Sequence, residues 1–332
     1  MSFRQIALTS ILFAAAAIAS AADEIVIGLI TKTETNPFFV AMKDGAAAEA
    51  KTKGAKLLTA AGKSVTDNAS QVTAVENMVA AGAKTILIVP SDTKAIVPAL
   101  RKAREKGVLI IALDTAPDPM DAADALFATD NYEAGVLIGQ YAKTALGDKR
   151  PVIVTLDGVP GVSVATQRHN GFMRGFGLNA PDAKAAQLGT DPAIACAADS
   201  FFDQTKGQTA MENCLQKSPD VNLVYTVNEP AAAGAFNALK KAGKDKGVTI
   251  VSIDGGCDAM KNLSSGMIIA TSQQYPIKMG AMGVEAGVEY AKTGKKPSGY
   301  TNTGVTLITS KPLNGVASKD VKTGTDLCWG KK

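Results

Sequence analysis

Glu24-Ile-Val-Ile-Gly-Leu-Ile30, followed by Thr31-Lys-Thr-Glu-Thr35 and then Asn36-Pro-Phe-Phe39, decides the fold of this chain. The run from Ile25 to Ile30 is apolar without alternation, as a strand covered on both faces must be. Phe38-Phe39 opens a helix directly after the strand exit. An amide and two aromatic rings therefore stand at the carboxyl end of a buried parallel strand, where open α/β sheets bind ligands.

The same rhythm repeats downstream. Continuous apolar runs predict strands at 55–60, 85–89 and 108–113, with helices near 38–53, 71–81 and 94–106. Gly54, Gly82 and Gly107 stand where these helices should stop. Pro98 kinks the third helix or marks its true start. Beyond residue 130, strands are expected at 151–156, 183–188, 223–227, 248–253 and 267–272. Helices are expected at 132–146, 164–178, 205–217, 231–242 and 277–293. The fold class is α/β, in two doubly wound parallel-sheet units.

Upstream of Glu24 lies a leader. It has one charge, Arg4, an apolar run from Ile6 to Ile18, and Ala19-Ser20-Ala21, a small-x-small cleavage pattern. Residues 1–22 read as a signal peptide, and the mature protein as exported to the periplasm. The apolar run is shorter than the ~20 residues a spanning helix needs. About 310 residues remain, enough for two domains. Hydrophobic residues make up 46% but aromatics only 5%, which suits close packing of helices on a sheet. The formal net charge of +4 is dispersed with no basic block, against a nucleic-acid surface.

Cys196, Cys214, Cys257 and Cys328 are even in number in an exported chain, which points to disulfides with three possible pairings. Cys196–Cys214 with Cys257–Cys328 is favoured: the first closes a local loop beside a helix, the second pins the tail near Trp329. The spacings are not those of a zinc site, His169 is the only histidine, and no metal or other cofactor is expected.

Polar residues just after strands are the candidate site. They are Thr31 to Asn36, Asp92, Asp114, Asp157, Asn228-Glu229, Asp254 and Gln273-Gln274. Asp and Asn at such places also cap helices.

An ordered set of short motifs gives the chain a family resemblance. The set is Asn36-Pro-Phe-Phe-Val40 with Lys43-Asp-Gly45, Ile88-Val-Pro-Ser-Asp92, Ala112-Leu-Asp114, Thr129-Asp-Asn131, Gly161-Val-Ser163 with Arg168 and Gly171-Phe172, Asn228-Glu229, Ile253-Asp-Gly255 and Gln274-Tyr-Pro276. Across nearly the whole mature chain it resembles the periplasmic sugar-binding proteins of ABC transporters, of the ribose-binding type. The 31–35 insertion and the cysteines look closest to the fructose-binding branch. The resemblance implies a periplasmic binding protein-like I fold with three hinge crossings, near Ala128–Asp130, Gln274–Pro276 and Asn302–Thr303. It divides the chain into 23–128 plus 275–302 and 129–274 plus 303–332. It implies Phe38 and Phe39 on one face of a monosaccharide and Phe202 on the other, with Phe201 one residue away. It also implies a polar ring of Asn36, Asp114, Arg168, Asn228, Asp254 and Gln274, which suits hydroxyls that both donate and accept. The ribose binders place Arg after the aspartate matching Asp114; here it is Thr115, which removes a donor and makes room. Lys32 or Glu34 in the insertion is the candidate replacement. The implied partners are ABC permease subunits and a chemoreceptor, and the protein is expected to be a monomer.

Other classes fit less well. No nucleophile elbow, P-loop, zinc signature or dinucleotide fingerprint occurs, so an enzyme is not expected. A regulator of this fold would carry a helix-turn-helix before the first strand, where only the leader stands. A receptor for a polyol or a furanosyl signal molecule remains the main competitor.

Overall fold

The computed structural model describes residues 24–330; the expected leader lies outside them. The first half runs β1 (Val26–Thr31), α1 (Pro37–Lys53), β2 (Lys56–Ala61), α2 (Asn68–Ala80), β3 (Thr85–Ile88), α3 (Val97–Glu105), β4 (Leu109–Leu113) and β5 (Ala125–Ala128). The second runs α4 (Asn131–Leu146), β6 (Ile153–Asp157), α5 (Ser163–Phe176), β7 (Ile194–Asp199), α6 (Gln204–Lys217), β8 (Leu223–Thr226), α7 (Glu229–Lys241), β9 (Thr249–Asp254), α8 (Cys257–Ser265) and β10 (Ala270–Gln273). The chain closes with α9 (Pro276–Thr293), β11 (Gly299–Asn302), β12 (Thr306–Thr309) and α10 (Val321–Leu327).

These strands form two six-stranded sheets, ordered β11-β5-β4-β3-β1-β2 and β12-β10-β9-β8-β6-β7. All pairings are parallel except β10–β12. The chain passes between the sheets after β5, after β10 and after β11, so each lobe contains segments distant in sequence. Both sheets reverse strand order beside their first strand, at β1/β3 and at β6/β8. A crevice opens at that switch point in sheets of this kind.

Unbroken hydrophobicity in β1 follows from cover on both sides. Ile27 and Leu29 pack in one apolar layer with Met42 and Val284, while Ile30 packs in the opposite layer with Val75 and Leu100. The helices begin and end on local signals. Asn36 caps α1 by accepting from Phe38 N at 2.9 Å, with Pro37 in the first turn. Gly54 ends it in the left-handed conformation, φ 66°. Pro98 marks the start of α3, which begins at Val97; residues 94–96 form a turn whose amides at Lys94 and Ala95 are held by Asp92.

One expected strand is displaced. Residues 183–188 form turns, and the strand that pairs with β6 is β7 at Ile194–Asp199. The displaced segment is tied to α5 instead: His169 Nε2 meets Gly189 O at 3.0 Å, and Asn170 bonds Gln187 O and Gly189 N. Strands β5, β11 and β12 and helices α8 and α10 also lie outside the expected set.

Both cysteine pairs are bonded, Cys196 to Cys214 and Cys257 to Cys328. The first joins β7 to α6. The second joins the start of α8 to the C-terminal segment.

Candidate functional site

The cleft between the lobes gathers one side chain from nearly every strand exit. Lys32, Asn36, Phe38, Phe39, Val65 and Asp114 line it from the first lobe. Val164, Arg168, Phe202, Asn228, Asp254 and Gln274 line it from the second lobe and the second crossing. The space between them, counted with its opening to solvent, is about 390 Å³.

Backbone geometry presents several of these groups. Among the described residues, four other than glycine have positive φ: Asp114 (60°), Phe201 (55°), Phe202 (58°) and Asp254 (133°). Three of the four line the cleft. Such conformations cost about 1–3 kcal/mol each and persist where surrounding structure imposes them. The pair Phe201-Phe202 is resolved by direction: Phe202 enters the cleft, while Phe201 lies under Lys206, whose Nζ is 4.4 Å from the ring centre.

Arg168 is 3% exposed and held on three sides. Its Nε donates to Asn131 Oδ1 at 2.8 Å, and its Nη1 donates to Val227 O at 2.8 Å and to Asp254 Oδ1 at 3.2 Å. The approach of α4 to α5 that permits this depends on glycine. A Cβ on Gly135 would strike the Arg168 carbonyl, and one on Gly171 the Tyr132 carbonyl. Among the described residues Nη2 has no protein acceptor, leaving two donors for a ligand.

Asp254 accepts from Gln274 Nε2 at 2.6 Å as well. Burial pushes its carboxyl up to about 6, against the pull of Arg168 and the Gln274 hydrogen bond. Gln274 Oε1 is buried with no partner among the described residues, an acceptor that a hydroxyl would satisfy. Asn228 caps α7 through Ala231 N at 3.2 Å and donates to Phe202 O at 3.3 Å, so it acts as cap and lining residue together.

On the opposite wall, Lys32 is 4% exposed. Its Nζ donates to Thr115 Oγ1 at 3.1 Å, and Thr115 Oγ1 donates to Asp114 Oδ2 at 2.8 Å. The Lys32 ammonium also lies 5.6 Å from the Phe202 ring centre. Burial brings Lys32 down to about 8, with Asp114 opposing the fall and Arg168 adding to it. Two buried cations thus face two buried aspartates, the balance that makes charge tolerable away from water. Thr115 is fully buried behind Asp114 and touches Lys32 rather than lining the cavity.

Three strand-exit residues serve the scaffold. Asp92 holds the turn before α3. Asp157 pairs with His169 Nδ1 at 2.8 Å. Glu229 accepts from Gly255 N and Gly256 N, fixing the loop after Asp254. Burial and the Asp254 charge raise the Glu229 carboxyl well above its usual range. Val65, Val164 and Asn131 were not singled out from the sequence. Asn131 carried the available signal, since it closes Thr129-Asp-Asn131 at the first crossing.

Residues 27–296 match the family model described as a periplasmic binding protein domain. The ribose import binding protein of Bacillus subtilis (strain 168) is 33% identical over 263 residues, 79% of this chain and 80% of that protein. That of Salmonella typhimurium is 33% identical over 293 residues, 88% of this chain and 94% of the other. Among solved structures, a galactofuranose binding protein superposes with a TM-score of 0.79 at 26% identity, covering 91% of this chain and 97% of that one.

Proposed function

The chain belongs to the periplasmic binding proteins, in the ribose-type sugar-binding group of ABC transporters, and from that premise we propose that it captures a monosaccharide, fructose or a related hexose or pentose, between its lobes and delivers it to an ABC permease. The halves that close are 23–128 plus 275–302 and 129–274 plus 303–332, hinged at the three crossings. Phe38 and Phe39 cover one face of the sugar and Phe202 the other. Asn36, Asp114, Arg168, Asn228, Asp254 and Gln274 bind its hydroxyls.

The observation that carries the fructose reading is the Lys32–Thr115–Asp114 chain. The cation that ribose binders place after the aspartate is absent, and a lysine from the 31–35 insertion reaches the same aspartate through Thr115. The donor comes from the segment after β1 and not from the residue after Asp114, and on this reading the hydroxyl pattern it selects differs from ribose. A thermal-shift screen of refolded, ligand-stripped mature protein tests this, using fructose, ribose, allose, glucose, galactose, xylose and polyols. A ligand at ~100 times its Kd adds about 2.7 kcal/mol of stability. A shift with fructose and little with ribose is expected. A shift with ribose alone overturns the fructose reading, a shift with polyols alone replaces the ligand class, and no shift at all overturns sugar binding.

A further inference from the structure

Trp329, the sole tryptophan of the chain, lies outside the cleft lining but joins the two lobes. Its tail is fastened to the second lobe. Cys328 is bonded to Cys257, the first residue of α8, and Cys257 N donates to Trp329 O at 2.9 Å. The indole nevertheless belongs to the first lobe's apolar layer, with Phe38, Phe39 and Met42, and is only 5% exposed. Its ring meets Phe38 edge to face, with centres 5.5 Å apart and planes at 80°. Phe39 meets the same Phe38 ring at 5.4 Å and 82°. The indole Nε1 donates to Gln274 O at 3.0 Å, on the second crossing. A groove between α1 and α8, lined by Val40, Asp44 and Asp258, runs along the indole, so separating the lobes would open it to water.

We propose that Trp329 is a positioning residue and latch: a ring anchored covalently to one lobe that seats against the sugar-stacking Phe38 of the other and holds the closed cleft together. This rests on the reading that sugar is captured by lobe closure. The contact with Phe38 crosses the lobes, so it strengthens the closed state and leaves the open state unaided. Encounter begins from the open state. The effect therefore falls on release rather than on association. The disulfide keeps the indole near its seat while the cleft is open, and the Gln274 carbonyl gives it a fixed pivot on the hinge.

The single tryptophan makes the latch directly visible. In the wild-type mature protein, titration with D-fructose, D-ribose and D-allose should blue-shift the emission and lower acrylamide quenching for whichever sugar raises the melting temperature. In stopped-flow competition, Trp329→Ala and the double variant Cys257→Ser/Cys328→Ser should release that sugar about tenfold faster, the size of one aromatic contact, with the association rate unchanged. Trp329→Phe, which keeps a ring against Phe38, should recover most of the lost residence time. Unchanged release from Trp329→Ala, in a protein whose sugar-induced melting shift persists, overturns the latch and leaves the receptor reading intact. If no sugar shifts the wild-type melting temperature, the receptor reading fails, and quenching of ligand-free protein decides the tether. Greater quenching of Trp329 in Cys257→Ser/Cys328→Ser than in wild type supports it, and equal quenching overturns it.

Discussion

Lys32 and Thr115, 83 positions apart in sequence, meet inside the cleft, Nζ to Oγ1 at 3.1 Å, and Thr115 passes the interaction to Asp114. A buried ammonium is tolerable here because Asp114 and Asp254 balance it and Arg168. Removing one member therefore disturbs more than one hydrogen bond.

Lys32→Met should weaken binding of the preferred sugar by about 10- to 100-fold, the range for a lost charge-assisted hydrogen bond. Calorimetric titration with D-fructose and D-ribose measures it. Because burial brings Lys32 down to about 8, wild-type affinity should also decline as the pH rises past that value. An affinity for the preferred sugar that is equal in the variant and flat above pH 8 would remove Lys32 from recognition.

Asp254 sets the acidic limit. Burial pushes its carboxyl up to about 6, and sugar hydroxyls donate best to the ionised form. Affinity should therefore fall as the pH drops below about 6, and Asp254→Asn should flatten that limb. Asp254→Ala should weaken binding by more than ~1.5 kcal/mol. The stability of the unliganded protein runs the other way. A folded carboxyl held above its unfolded value contributes less as it ionises, so this contribution is lost as pH rises from about 4 through 6. Binding isotherms between pH 5 and 8, with melting curves alongside, separate the two effects.

His169 should make the fold itself pH-sensitive. Both ring nitrogens face acceptors, Asp157 Oδ1 at 2.8 Å and Gly189 O at 3.0 Å, which favours the doubly protonated ring. Burial is the largest single influence and opposes the charge, but the charge and hydrogen bond of Asp157 together with the Gly189 carbonyl outweigh it and raise His169 above its ordinary value. The stabilisation is complete below pH 6.5 and is lost as the pH rises through the raised value. Melting temperatures of wild type should fall across that window, while those of His169→Gln fall less. Parallel pH profiles would contradict the assignment.

The Cys196–Cys214 bond should serve stability and not binding. It lies beside Phe201 and Lys206, away from the cleft lining, and spans 18 residues. Cys196→Ser/Cys214→Ser should lower unfolding free energy by about 3 kcal/mol, as for loops of this length, and leave sugar affinity within about twofold. Denaturant melts and titrations of the same preparation check both halves.

Much of the fold was legible because strand burial writes itself as hydrophobicity. The runs at 25–30 and 108–113 are apolar because layers cover both faces, and the glycines after α1, α2 and α3 end helices by a rule that needs no neighbours. The misplaced strand shows the limit. Residues 183–188 and 194–199 are both rich in small apolar residues, and pairing with β6, the bond to Cys214 and the His169 and Asn170 anchors on 187–189 select the second. Likewise, resemblance brought Phe202 forward, but the choice between it and Phe201 depended on left-handed backbone at both positions, which sequence does not display.

By itself the sequence determined two doubly wound sheets, the strand exits at which polar groups stand, and an even set of cysteines. These follow from local periodicity, capping and composition, which act over a few residues. Only the tertiary structure decided which exits share one cleft, that Asp157 serves His169 while Asp254 serves Arg168 and Gln274, that Lys32 reaches Thr115, and that Trp329 lies on Phe38. Those relationships join residues tens to hundreds of positions apart. They are fixed by the crossing of the chain between sheets and the close approach of helices at glycine, distances that no local pattern encodes.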